Sequence, residues 1–326
     1  MTRFLYKYMP LREEFFDTPM IRATPAQDLN DPFEGHFNIQ QVTDADRNHR
    51  SFFKKNVSNY DDSIAQSMIH DNAHFINSEF DELGILSFTE DYNNPLMWSH
   101  YADQHRGIVI EFDFSIPFFV GSIKEVNGKK CRFGESYLAD FYEFPEKVNY
   151  RRDMPNFERP ELSAPDSIEQ YHWEKFKKAI LFTKANDWIY EKEQRIVVRL
   201  IDADAIICNH STFIEEVCVK DPSIKIEMLK NGRMKIIYPD EYEMHEDMGD
   251  ESLKNEIFFR SKEPGLEPIY LFKINPEAIS GVYFGCKADY KKSLCKINKN
   301  LEHLENVLQM SKNPTRYEFD PAPIYL

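Results

Sequence analysis

A chain of 326 residues with 42% hydrophobic and 14% aromatic side chains can fill the core of one large domain or two medium ones. Its 26 Phe and 17 Tyr make that core aromatic, while only 11 Gly argue against a glycine-rich dinucleotide fold or a barrel of many tight turns. The formal net charge of −15 removes any global attraction for phosphate backbones, which excludes a general nucleic-acid coat but leaves room for a local basic cleft.

The start, Phe-Leu-Tyr-Lys-Tyr at 4–8, is short and aromatic and is bounded by Pro10, so a first strand is expected there. It has no long apolar run, so neither a leader peptide nor a membrane anchor is expected, and the cytoplasm is the default location. Residues 11–17 suit a helix, and Thr24-Pro25 and Asn30-Asp31-Pro32 punctuate a loop. Residues 43–82 carry apolar side chains at helical spacing. Ile85–Thr89 reads as a strand, Pro95 opens a short helix bearing Met97, Trp98 and Tyr101, and Gly107–Phe112 is a β-branched strand. The stretch 113–165 is irregular with a short strand near Val148–Tyr150. Asp166 and Glu169 can form a capping box for a helix carrying Ile168, Trp173, Phe176 and Ile180. A strand follows at Ile196–Val198, the acidic stretch 240–265 reads as a loop excursion, Tyr270–Ile274 and Val282–Gly285 are strands, and 288–310 is helical. No linker divides the chain. A single α+β domain over 1–326 is expected, with helical or loop insertions at about 40–82, 115–180 and 200–265.

Three constellations concentrate polar chemistry. In Leu29-Asn30-Asp31-Pro32-Phe33-Glu34, turn formation accounts for Asn30, Asp31 and Pro32, but not for Glu34 or His36. In the run 97–107, packing on one helix face accounts for Trp98 and Tyr101, whereas Ser99, His100, His105 and Arg106 are harder to assign to a core. In Glu191-Lys192-Glu193-Gln194-Arg195, an extended backbone puts Glu191, Glu193 and Arg195 on one face, where two carboxylates need a cation or a ligand between them. Together the three segments are expected to form one active or ligand site.

Familiar sites are missing from the sequence: no phosphate-binding glycine loop, no HExxH and no GxSxG. The odd set Cys131, Cys208, Cys218, Cys286 and Cys295 contains no Cys-x-x-Cys pair, so buried thiols are expected rather than disulfides or a zinc ribbon, and no metal ligands are assigned.

Leu5–Tyr8, Leu29–Glu34, Ile85–Thr89, Met97–Ala102, Tyr190–Arg195 and Gly281–Cys286 resemble, across most of the chain, a bacterial family catalogued only as a domain of unknown function. More distantly, the order of elements is similar to that of ADP-ribosyltransferases. That resemblance implies a split two-sheet core in which NAD, as substrate, bends in a cleft. Tyr6 and Lys7 then fill the first motif, where His or Arg is usual. Ser87 and Thr89, with Trp98, Ser99 and Tyr101, fill the second, and Glu193 the third. Asn30 and Asp31 shape a loop over NAD, Arg106 and Arg195 join the binding set, and Glu191 orients or deprotonates an acceptor.

The function implied is an NAD-consuming transferase or glycohydrolase, of the kind found in toxins and anti-phage effectors. Its acceptor would be a protein or nucleic acid, and a neutralising or sensor partner would restrain it. Two other readings stay open. One is a metal-dependent nuclease or hydrolase using Asp31, Glu34, Glu191 and Glu193. The other is a non-catalytic nucleotide-sensing module.

Overall fold

The aromatic and β-branched runs become strands because alternate side chains can be buried against a common layer. The computed structural model describes residues 3–37, 80–122, 124–126, 129–131, 144–156, 175–239 and 250–324. The strands of the first half are β1 (Phe4–Met9), β2 (Met20–Pro25), β3 (Leu83–Thr89), β4 (Ile108–Asp113), β5 (Lys124–Val126), β6 (Lys129–Cys131), β7 (Glu146–Lys147) and β8 (Asn149–Arg151). Those of the second are β9 (Thr183–Ala185), β10 (Glu193–Arg199), β11 (Ala205–Asn209), β12 (Lys225–Met228), β13 (Arg233–Ile237), β14 (Ile269–Lys273), β15 (Ile279–Phe284), β16 (Asn306–Lys312) and β17 (Phe319–Pro323).

One large sheet runs β12-β13-β11-β14-β2-β3-β1-β4-β15-β16-β17, with β10 on β3 and β7 on β10. Its pairings are antiparallel except β15 with β16. Among the described residues few helices accompany it, giving a mixed α+β structure with a large, mostly antiparallel sheet. Among the described residues no helix is long and apolar enough to cross a membrane.

The sheet divides at β3. One edge of β3 is fully paired with β10, from Leu83↔Arg199 to Thr89↔Glu193. The other edge is shared. β2 takes Gly84 and Ile85, whereas β1 touches only Thr89. Between those contacts the half-sheets of β1 and β2 diverge, and the edge of β3 is left without a strand. An unpaired backbone carbonyl away from water is costly. Here the side chain of Lys7 supplies the partner, its Nζ donating to the Ser87 carbonyl at 2.9 Å.

The main core lies on one side of this sheet, where Phe88, Phe112, Phe114 and Phe118 meet edge to face, tilted or stacked with centroids 4.9–6.5 Å apart. Two satellite clusters complete it. One packs Phe37, Phe80, Phe176 and Ile180 beneath β3 and β10. The other packs Tyr8, Trp98, Val109 and Phe319 around the helix Pro95–His100. Asn94 caps that helix, its side chain accepting from Leu96 and Met97, with Pro95 at the first position as expected.

Several expectations change. The segment 250–261, read as an acidic loop, is a twelve-residue helix. The C-terminal helix covers only Lys291–Asn300; the rest of 288–310 includes β16, which the open edge of β15 recruits as a parallel partner. A short apolar run such as Val307–Met310 is ambiguous between helix and strand until its neighbour is known. The region 200–265, expected as an insertion, supplies β11, β12 and β13 to the main sheet. β2 falls where a loop was expected, and Glu13–Phe16 forms a single 3-10 turn. Most of the helix expected at 43–82, and the capping box at 166–169, lie outside the described residues; residues 175–181 are helical as expected.

Gly84 marks the crossing of β2 over β3. A Cβ there would sit 2.4 Å from Leu200 Cδ2 and 2.8 Å from Ala23 Cβ. Gly84→Val is therefore expected to lower stability by about 1–3 kcal/mol through overpacking, read as a lower urea midpoint. An unchanged midpoint would show that β2 and β3 are further apart than this.

Candidate functional site

Where the half-sheets diverge, a cavity of about 230 Å³ opens. β1 contributes Tyr6 and Lys7, β3 contributes Ser87 and Thr89, the loop after β2 contributes Asn30 and Glu34, and Tyr101 arrives from the end of the Pro95–His100 helix. Lys184 of β9 and the pair Glu191 and Glu193 close its floor.

The floor is a buried ion cluster. Arg195 is 1% exposed; its Nε donates to Glu193 Oε1 at 2.7 Å, its Nη2 to Glu193 Oε2 at 2.9 Å and to Glu34, and its Nη1 to the Leu181 carbonyl at 2.7 Å. Lys184 sits between three acids, 2.7 Å from Glu191 Oε2, 3.2 Å from Glu193 Oε2 and 3.0 Å from Glu34 Oε1. The last contact has the distance of an ion pair without hydrogen-bond alignment, leaving Glu34 Oε1 otherwise unpartnered.

Three carboxylates thus face two cations, and the charge balance shows in their proton affinities. Burial raises the pKa of Glu34 against the pull of Arg195 and Lys184. Burial also opposes the charge of Glu193, but Arg195 and Lys184 outweigh it and hold this carboxylate down to about 2. Lys184 and Arg195 are themselves buried at a cost, and their acidic neighbours more than offset it, raising both above their ordinary values. Lys7 goes the other way: desolvation lowers it to about 8, with Glu193 only partly restoring its charge.

The local backbone explains how Glu191 and Glu193 converge. The expected extended run does not form. Asn186–Glu191 is a 3-10 turn, Lys192 is left-handed at φ 47°, and β10 begins at Glu193. The kink brings the two carboxylates onto one ammonium. Thr89 braces it, its hydroxyl donating to the Glu191 carbonyl at 2.6 Å. Tyr150 of β8 accepts from the Glu193 N–H at 2.7 Å, and Tyr101 donates to Glu191 Oε1 at 2.5 Å. Burial, then the Glu191 charge, raises the Tyr101 phenol, so this hydroxyl keeps its proton as a donor.

Of the residues singled out from the sequence, Tyr6, Lys7, Asn30, Ser87, Thr89, Tyr101, Glu191 and Glu193 share this cavity. Arg195 lies directly behind it. Asp31 is buried beside it but serves its own turn, accepting from the N–H groups of Phe33 at 2.9 Å and Ala185 at 3.5 Å. Six residues lie elsewhere, among them His36, His100 and His105. Trp98 is core, 1% exposed, its indole N–H given to the Tyr92 carbonyl. Ser99 is exposed off the cavity, and Arg106 is a surface partner of Asp103. Sequence reasoning missed Lys184 and Tyr150 as site residues. Nothing distinguishes a lysine in Thr-Lys-Ala from a surface one. Glu34 did carry a signal, since turn formation left it unexplained.

The geometry can be set beside known proteins. A family model described as Protein of unknown function (DUF2971) covers residues 97–196. That stretch contains the second and third polar constellations and leaves 30–34 outside. No curated protein and no solved structure matches the chain.

Removing Lys184 would leave three carboxylates in one buried space. Lys184→Met is expected to cost about 3–5 kcal/mol at pH 7 in denaturant titrations. The deficit should narrow towards pH 5, because Glu34, already raised by burial, takes up a proton first. A deficit independent of pH would contradict this charge balance.

Proposed function

We propose that the chain is an NAD-consuming enzyme of the ADP-ribosyltransferase or NAD glycohydrolase type. One observation carries the reading. Glu193, an ionised carboxylate at the first residue of a strand, shares a single cavity with Lys7, Ser87 and Tyr101, which come from three distant segments.

The chemistry asked of the site is cleavage of the bond between the ribose and nicotinamide. The electron pair leaves with nicotinamide, and positive charge develops on the sugar. A carboxylate fixed by Arg195 and Lys184 needs no reorganisation to stabilise that charge or to accept from a ribose hydroxyl. Its pKa of about 2 suits it to electrostatic work and not to proton donation. Glu191, bonded to Tyr101, is placed to take the proton of the incoming acceptor, whether water or a macromolecule. At about 230 Å³ the cavity is smaller than the roughly 300–1,000 Å³ usual for small-molecule sites, so it encloses one end of a dinucleotide only.

The same geometry argues against the hydrolase built on a divalent metal ion. The position among Glu34, Glu191 and Glu193 where such an ion would sit is filled by the Lys184 ammonium, and Asp31 is turned to backbone N–H groups. A role as a toxin or anti-phage effector, held in check by a partner protein, belongs to the proposal through the resemblance alone.

Nicotinamide release from NAD by the purified protein is the test, with and without protein or nucleic-acid acceptors. Glu193→Gln is expected to slow release by about 10²–10³-fold, as loss of one fixed electrostatic group does. Folded wild-type protein that releases nothing, or a variant as fast as wild type, would sink the reading; binding of NAD without turnover would favour the sensing module. Where release is seen, its rate should fall as pH rises through about 8, where Lys7 loses its proton. Lys7→Arg should remove that limb; a limb that persists assigns it to another group.

A further inference from the structure

A second cavity of about 590 Å³ adjoins the first, and Arg22 and Asp28 line both. Two further cations reach it, Arg233 of β13 and Lys262 just beyond the helix Asp250–Ser261. Their bonds go to neutral groups. Arg233 Nη2 donates to the carbonyls of Ile207, at 3.2 Å, and Glu267. Arg233 Nε is shut off from solvent and has no acceptor among the described residues. Lys262 Nζ donates to the Asp81 carbonyl at 2.8 Å and lies 4.3 Å from the centre of the Phe258 ring. Arg22 comes no closer than 3.8 Å to its nearest acid among the described residues, Asp28.

Asp81 and Glu267 also line the space without forming an ion pair with Arg233 or Lys262. Burial lowers the pKa of Lys262, although Glu82 and Asp81 favour its charge. Burial, with Arg233 and Arg12 adding to it against Asp28, holds the pKa of Arg22 below its ordinary value. Asp28, Asp81 and Glu267 match the three cations in number, but among the described residues none comes within hydrogen-bond distance of them, and the orphaned N–H of Arg233 is a donor that an anion would relieve. A buried donor left unmade is costly, and a guanidinium fork matches the oxygens of a phosphoryl group.

We propose that this second cavity is a phosphoryl-binding subsite in which Arg233, Arg22 and Lys262 hold the phosphate groups of a ligand whose sugar end reaches the cavity of Glu193. Arg22, on the wall common to both, is the residue the two ends share. The identity of the ligand as a dinucleotide rests on the proposed NAD chemistry; the anion subsite does not.

Calorimetric titration with inorganic pyrophosphate and with ADP-ribose separates the possibilities. Both should bind the wild-type chain, and both should weaken by at least about tenfold in Arg233→Gln and in Lys262→Gln, the loss expected for one charge-assisted hydrogen bond. Lys262 is only partly buried and is the second variant should Arg233→Gln fail to fold. Glu193→Gln should change the affinity for ADP-ribose and leave that for pyrophosphate unchanged. If pyrophosphate weakens while ADP-ribose does not, a separate anion occupies the subsite and the single-ligand proposal fails. Wild-type affinity in both basic variants, or no binding of either ligand by wild type, overturns the subsite itself. Pyrophosphate binding lost in the basic variants, from a protein that never releases nicotinamide, would keep the subsite and discard the reaction.

Discussion

Arg195 and Lys184 hold Glu34, Glu191 and Glu193 inside the protein, and much of the structure is arranged to make that tolerable. Ions taken out of water lose their hydration, and only close, well-directed partners return it. The five groups come from four parts of the chain: Glu34 from a turn after β2, Lys184 from the short strand β9, Glu191 from a 3-10 turn, and Glu193 and Arg195 from the start of β10. Mutual dependence is therefore built in. Displacing any one segment strands a charge in another, which couples the loop at 30–34 to the end of the helix at 175–181. A hydrophobic filling of the same space would cost less to assemble. The cluster has one more acid than base and opens on a cavity.

The cavity itself follows from how β3 is shared. Because β10 takes one edge whole, while β1 and β2 divide the other, the sheet must open between them. Opening leaves backbone groups unpaired, and Lys7 fills that gap with an ammonium. A residue that bonds the open edge of β3 thus also lines the cavity with Glu193. Its desolvation by the same walls brings its titration towards neutral pH. Fold and site are in this sense one feature. Arg22, on the strand that forms the other lip, then extends the site towards Arg233 and Lys262.

The legible parts of this arrangement were those whose information is local. β1, β3, β4 and the Pro95 helix could be read because aromatic alternation, β-branching and a proline start are properties of a few adjacent residues. The polar constellations at 30–34 and 191–195 stood out because packing does not explain their charges, and residues of both line one cavity, whereas Ser99, His100, His105 and Arg106 of the second do not. Within them the resolution was poorer. Trp98 and Tyr101 have a spacing that puts them on one helix face, yet Trp98 is core whereas Tyr101 caps the end of the helix and lines the cavity. Arg106 resembled a ligand-binding arginine, yet its bonds go to its neighbour Asp103. β11, β12, β13 and β16 were hidden because their strand character depends on which edge is open to receive them.

The sequence by itself determined a mixed α+β chain rich in aromatic side chains, the strands β1, β3 and β4, the Pro95 helix, and a run of charges at 191–195 that packing does not explain. Only the tertiary structure decided that Glu34 and Lys184 complete the cluster, that the two glutamates meet through a left-handed kink, and that a second cavity, lined by Arg22, Arg233 and Lys262 with three acids, lies beside the first. The physical reason is the range of the forces involved. Propensity and patterning act over a few residues, whereas the balance of buried charge is set by groups as far apart in sequence as Glu34 and Arg195, which have no relation until the sheet brings them together.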